Sequence, residues 1–160
     1  GMKKGVLLLA VLLLATALSA CGGKKEEGIA AHIEINGVEL ALNAEFTAEK
    51  AEALGKTDQV IEAPSCHYDG SDSIYYYPGF TVYTYKQGEK SILYSVEATD
   101  GALSTPEGAK VGMTLEEIRG IYGEAGEETA AGISYAIGEG MKLNFRLADG
   151  TVSLIEYYAE

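Results

Sequence analysis

The side chains with the most chemical capacity crowd into one stretch, "CHYDGSDSIYYYPGFTVYTY", residues 66–85. Cys66 and His67 are adjacent, Asp69 and Asp72 follow, and seven of the chain's 11 tyrosines fall between Tyr68 and Tyr94. A thiol nucleophile needs a base within hydrogen-bond reach of sulfur and a third group to orient that base. Neighbours on a strand point to opposite faces, so Cys66 and His67 do not make such a pair. The only other histidine is His32, far along the chain, and the acidic composition disfavours a thiolate. Cys66 is therefore expected to be a small buried residue. A zinc site could draw on Cys66, His67, Asp69 and Asp72, but their spacing fits no standard ligand set. "DGSDS", Asp69 to Ser73, spaces carboxylates somewhat as a calcium loop does and lacks the bidentate acid at its far end, so it is expected to be a turn. The chain has no nucleophile elbow, phosphate loop, HExxH or dinucleotide fingerprint. These absences point away from an enzyme, and no cofactor or metal is expected. A small-ligand or cation binder centred on the 66–73 loop is the alternative.

The tyrosines suggest recognition. Phe80, Val82 and Thr84 alternate with Thr81, Tyr83 and Tyr85, and Met141, Leu143, Phe145 and Leu147 alternate with Lys142, Asn144 and Arg146. This period of two predicts strands with one face inward and one outward. Tyr75 and Tyr77 share a face by the same alternation, and they are expected beside Tyr83 and Tyr85 on the outward one. Tyrosine offers a large rigid surface at low entropic cost, and aromatic residues with arginine are enriched at binding hot spots. Tyr75, Tyr77, Tyr83 and Tyr85, with Lys142, Asn144 and Arg146, are the candidate partner-binding set. The competing explanation is that tyrosines are good strand formers that pair across strands.

Two short helices and several hairpins must position these strands. Thr114 with Glu117 three residues on makes a capping box, Leu115, Ile118, Ile121 and Tyr122 form an apolar stripe, and Gly123 is a left-handed stop. Thr47, Ala48, Ala51, Leu54 and Gly55 repeat the pattern more weakly. Asn36-Gly37, Gln87-Gly88 and Asp149-Gly150 sit where hairpin turns belong. A shift of 61 aligns Gly79 with Gly140, Phe80 with Met141, Val82 with Leu143, Val96 with Tyr157 and Ala98 with Ala159. The expected fold class is α+β: a tandem repeat of two helix-plus-antiparallel-sheet units, about 31–99 and 104–160, in a single two-lobed domain over 31–160. Its helices would cover one sheet face and leave the other exposed.

The N-terminus is a separate matter. Gly1 ahead of Met2 reads as a cloning remnant. Lys3 and Lys4 precede the apolar run "VLLLAVLLLATAL", which is shorter than the roughly 20 residues of a membrane span. The run ends in "LSAC", Leu18 to Cys21, which resembles the lipobox of bacterial lipoproteins. Residues 1–21 are thus expected to be a lipoprotein signal peptide with Cys21 lipidated, and the Gly-, Lys- and Glu-rich residues 22–30 a flexible tether. The resemblance implies a membrane anchor through at least two acyl chains, an extracytoplasmic location at the bacterial cell membrane, and Cys66 as the only thiol left. Removing Lys3 and Lys4 with the leader leaves 10 basic against 24 acidic side chains, a surface that repels nucleic acid.

"VGMTLEEIRGIYGEA" followed by antiparallel strands resembles the SmpA/OmlA type of small envelope lipoprotein, and also the beta-lactamase-inhibitor-protein fold of two side-by-side helix-plus-sheet units. Proteins of the latter fold carry disulfides, whereas this chain has one cysteine beyond its lipobox. "APSCHYDGSDSIYYYPGFTVYTY" with "STPEGAKVGMTLEEI" resembles uncharacterised lipoproteins of Firmicutes across most of the chain after Cys21. The expectation is a membrane-anchored, non-enzymatic module that holds an envelope or secreted protein through its exposed sheet face. An assembly or scaffold lipoprotein of the envelope is the neighbouring alternative.

Overall fold

A computed structural model describes residues 28–65 and 70–160. Cys21, the signal segment and most of the tether lie outside the described residues, as do Cys66, His67 and Asp69.

The chain forms β1 (His32–Ile35), β2 (Val38–Ala41), α1 (Ala48–Ala53), β3 (Gln59–Pro64), β4 (Ser71–Tyr77), β5 (Phe80–Gln87), β6 (Lys90–Ala98), α2 (Leu115–Tyr122), β7 (Glu127–Glu128), β8 (Gly132–Gly138), β9 (Met141–Ala148) and β10 (Thr151–Ala159). Eight of the strands make one antiparallel sheet in the order β3-β4-β5-β6-β10-β9-β8-β7, and β1-β2 is a separate hairpin. The expected α+β class is overturned. Among the described residues 53% are strand and 11% helix, and the two helices are short. The molecule is mostly β, not a pair of helix-plus-sheet units. The helices have six and eight residues, too few to cover a sheet of this width. The β1-β2 hairpin supplies much of the cover, burying Ile33, Ile35, Val38 and Leu40 against the sheet.

Local chemistry explains each element. Asn36 and Gly37, and again Asp149 and Gly150, take the paired positive φ angles that a tight two-residue hairpin turn requires. In α1, Thr47 caps the backbone N–H of Lys50. In α2 the full capping box forms between Thr114 and Glu117, and Ile118 is completely buried. Each helix hangs from the sheet by the segment before it. Phe46 N–H donates to Ser91 O, and Val152 N–H donates to Met113 O.

At the middle of the sheet β6 meets β10, with Val96 opposite Tyr157 and Glu97 opposite Glu156. Val96 and Tyr157 are the residues that a shift of 61 superimposes. The two meanders, β4-β5-β6 and β8-β9-β10, lie on either side of this seam. The covered face buries Phe80, Val82, Val96, Leu143, Phe145, Ile155 and Tyr157, the last with its hydroxyl unpartnered among the described residues.

Candidate functional site

The strand registers define the opposite, outer face. One row across it runs Ser134, Asn144, Glu156, Glu97, Thr81, Tyr76 from β8 to β4. The next runs Ala136, Lys142, Tyr158, Ser95, Tyr83, Ile74. Tyr85, Arg146 and Leu154 share the face by alternation. Neither helix nor the β1-β2 hairpin lies on this side.

Five of the seven expected binding residues meet here: Tyr83, Tyr85, Lys142, Asn144 and Arg146. Tyr75 and Tyr77 do not. They sit on the covered face, where Tyr75 lies edge-on to Phe46 at 5.0 Å between ring centroids and Tyr77 stacks on Phe80 at 4.7 Å. The Tyr77 hydroxyl donates to Ala51 O of α1 at 2.9 Å, and burial pushes its pKa up to about 12. Burial, with Glu62 nearby, raises that of Tyr75. The cause is the two-residue turn at Pro78-Gly79. It sets Tyr77 directly opposite Phe80 and Tyr75 opposite Val82, and cross-strand partners share a face.

A β-bulge builds the aromatic half of the site. Tyr83 pairs with Ser95 and Thr84 with Leu93, so Tyr94 is the extra residue. Its ring is freed to join the outer face, 6.0 Å from Tyr83, 6.2 Å from Tyr85 and 6.3 Å from Tyr158. Its hydroxyl donates to Asp72 Oδ2 at 2.9 Å. Burial and that carboxylate hold the Tyr94 hydroxyl well above the ordinary tyrosine range. Asp72 and Ser95 are nearly inaccessible, and Asp72 Oδ1 and Ser95 Oγ have no partner among the described residues.

At the seam, Glu97 and Glu156 stand directly opposite each other. Burial first, and the facing Glu156 second, raise the pKa of Glu97, while a hydrogen bond from Tyr83 and the charge of Arg146 oppose the rise. Tyr83 is itself raised, by burial and then by Glu97. Glu156 accepts from Asn144 Nδ2 at 2.8 Å, and Asn144 Oδ1 accepts from Ser134 Oγ. The polar half of the face is hollowed into a groove of about 460 Å³, lined among others by Ser134, Lys142, Arg146, Glu156 and Tyr158. Among the described residues Lys142 and Arg146 have no carboxylate within ion-pair distance, whereas Arg119 holds Glu124 and Glu128.

The arrangement therefore gathers rings, hydroxyls, two cations and a facing carboxylate pair on one face, with Tyr94, Asp72 and Ser95 buried within it. Among the described residues it brings no nucleophile and base together. No three His, Cys, Asp or Glu side chains converge as a metal site among the described residues. Tyr94, Tyr158, Glu97 and Glu156 are residues of this candidate site that sequence reasoning missed, and Asp72, expected only as a possible cation ligand, joins them through Tyr94. Tyr94 depends on a bulge and the Glu pair on the seam register, and neither carries a local signal. No family model, curated protein or solved structure matches the chain.

Proposed function

We propose that the protein is a lipid-anchored, extracytoplasmic, non-enzymatic binding module that holds an envelope or secreted protein on its outer sheet face. The observation that carries the reading is the contrast between the two faces. One is roofed by the hairpin, α1 and α2. The other carries Tyr83, Tyr85, Lys142, Asn144 and Arg146 on the same side, and among the described residues no helix or hairpin lies over it. Antiparallel sheets commonly keep one face solvated, but that face is then polar. Here half of it is aromatic, and aromatics beside arginine are the side chains through which protein partners gain most binding energy. The anchor rests on "LSAC" and the preceding apolar run, which resemble a lipobox, and on the resemblance to envelope lipoproteins.

The test captures proteins from envelope extract on the full chain in detergent, beside Tyr83→Ala/Arg146→Ala and a covered-side control, Glu116→Ala. A stoichiometric partner retained by wild type and control and lost by the double variant supports the reading. Equal capture by all three refutes it. The anchor is tested separately by metabolic labelling with an alkyne fatty acid. Label should be incorporated into the wild type and be absent from Cys21→Ser.

A further inference from the structure

The two ends of the eight-stranded sheet are built differently. A free strand edge is a template for another strand, and proteins guard such edges with short strands and charge. The β7 end is guarded: it has two residues, both glutamates, and Arg119 pins Glu128 at 2.6 Å. The β3 end is six residues, Gln59 to Pro64, and among the described residues is paired only with β4. It carries Val60, 49% exposed and the one large exposed hydrophobic side chain among the described residues.

Hydrogen-bond parity shows which groups this edge presents. Ser65 N–H donates to Gly70 O, continuing the β3-β4 register, so Ala63, Ile61 and Gln59 bond inward to β4. The two-residue turn after Tyr77 requires the same parity from the far side of β4. Val60 and Glu62 therefore direct their N–H and C=O groups away from the sheet, and Pro64 a carbonyl alone.

From this we infer that β3 pairs antiparallel with β3 of a second copy of the chain, centred on Ile61, continuing the sheet from one protomer into the other. The register is selected by elimination. Only Val60 and Glu62 carry outward donors, so only three alignments are open. Centring on Glu62 sets two glutamates face to face and places Val60 against Pro64, which cannot donate. Centring on Val60 sets Glu62 against Asp58 of the partner subunit. Like charges directly opposite destabilise a sheet. Centring on Ile61 places each Val60 opposite the partner's Glu62, makes four hydrogen bonds, leaves no outward donor of either strand unpaired, and brings the two Ile61 side chains together on the two-fold axis. The edge is thus self-complementary, which a closed two-fold dimer requires. A foreign extended segment would need to match the same alternation without the symmetry.

The test is disulfide trapping in membranes of cells producing the full chain with Cys66→Ser. Ile61→Cys would place two thiols at a non-hydrogen-bonded pair, where the Cα atoms lie about 4.5 Å apart, inside the range a disulfide spans. Mild oxidation should give a covalent dimer at least tenfold more abundant than from Ala63→Cys or from Cys66→Ser alone. Adding Val60→Pro removes an outward donor that β4 does not use, so the fold is retained and the cross-link should be lost. Adding Val60→Lys puts an ammonium opposite the partner's Glu62, so the cross-link should be kept or increased. Absence of a dimer from Ile61→Cys, equal trapping at residues 61 and 63, loss of the cross-link with Val60→Lys, or a disulfide to a different protein would each overturn the inference.

Discussion

Replacing Glu97 with glutamine should make the folded protein more stable at neutral pH and leave it unchanged in acid. Glu97 faces Glu156 across the central seam, and burial together with that like charge lifts its pKa. The sign follows from linkage. A carboxyl whose folded pKa lies above its unfolded value binds more protons in the folded state, so stability falls as pH rises from the unfolded value, near 4.5, through the folded one. Below that window both states are protonated and no penalty exists. Above it the penalty is constant. Cross-strand pairs contribute roughly 0.2–1 kcal/mol, and Arg146 and the Tyr83 hydrogen bond offset part of the repulsion. A net gain of about 0.5 kcal/mol is therefore expected for Glu97→Gln at pH 7.5, since the amide oxygen can still accept from Tyr83. Urea unfolding of wild type, Glu97→Gln, Glu156→Gln and the double variant at pH 7.5 and pH 3.5 measures it. Glu156→Gln should gain less. Its carboxylate accepts the Asn144 amide at 2.8 Å, a charge-assisted bond that the neutral side chain weakens. A loss of stability for Glu97→Gln at pH 7.5, or a gain that persists at pH 3.5, would refute the electrostatic account of the seam.

Other consequences are more local. Phe145→Ala empties a fully buried position packed by Tyr122 and Tyr135 and should cost about 3–5 kcal/mol in urea unfolding. Gly132→Ala should prevent β8 from pairing normally with β9. An added Cβ would overlap the carbonyl oxygen of Phe145, and φ is +159°, so a fall in expression or a loss of near-ultraviolet dichroism is expected. Thr114→Ala removes the α2 capping box and should cost about 1 kcal/mol. Tyr77→Phe, which frees Ala51 O, should also cost about 1 kcal/mol.

Sequence patterns that act over a few residues were legible. The Thr114–Glu117 box, the Asn36-Gly37 and Asp149-Gly150 turns and the alternation in β5 and β9 all depend on neighbours in the chain, and the structure has each of them. The fold class was not legible, because two well-capped helices advertise themselves more loudly than their size warrants. Helices of six and eight residues cannot roof eight strands, and the β1-β2 hairpin's part in the cover is invisible without tertiary contacts. The candidate set on the outer face was half legible for a related reason. Alternation says that Tyr75 and Tyr77 share a face, but only the Pro78-Gly79 register says which one. The bulge at Tyr94 and the pairing of Glu97 with Glu156 depend on strands whose relative slide no local motif announces.

The position of the β6-β10 seam has a kinetic meaning. Every other strand pair of the large sheet joins consecutive strands, closed by a turn or a short loop, but Val96 and Tyr157 are 61 residues apart. The entropy of closing that distance must be spent before the seam repays it. Each half can zip from its own turns while the other is unformed, so the rate-limiting event should be the meeting of two prefolded four-stranded halves. A refolding chevron would then show one slow phase sensitive to Val96→Ala and Tyr157→Phe, with turn substitutions such as Asp149→Ala, whose contacts are already made in a prefolded half, changing mainly the folding limb.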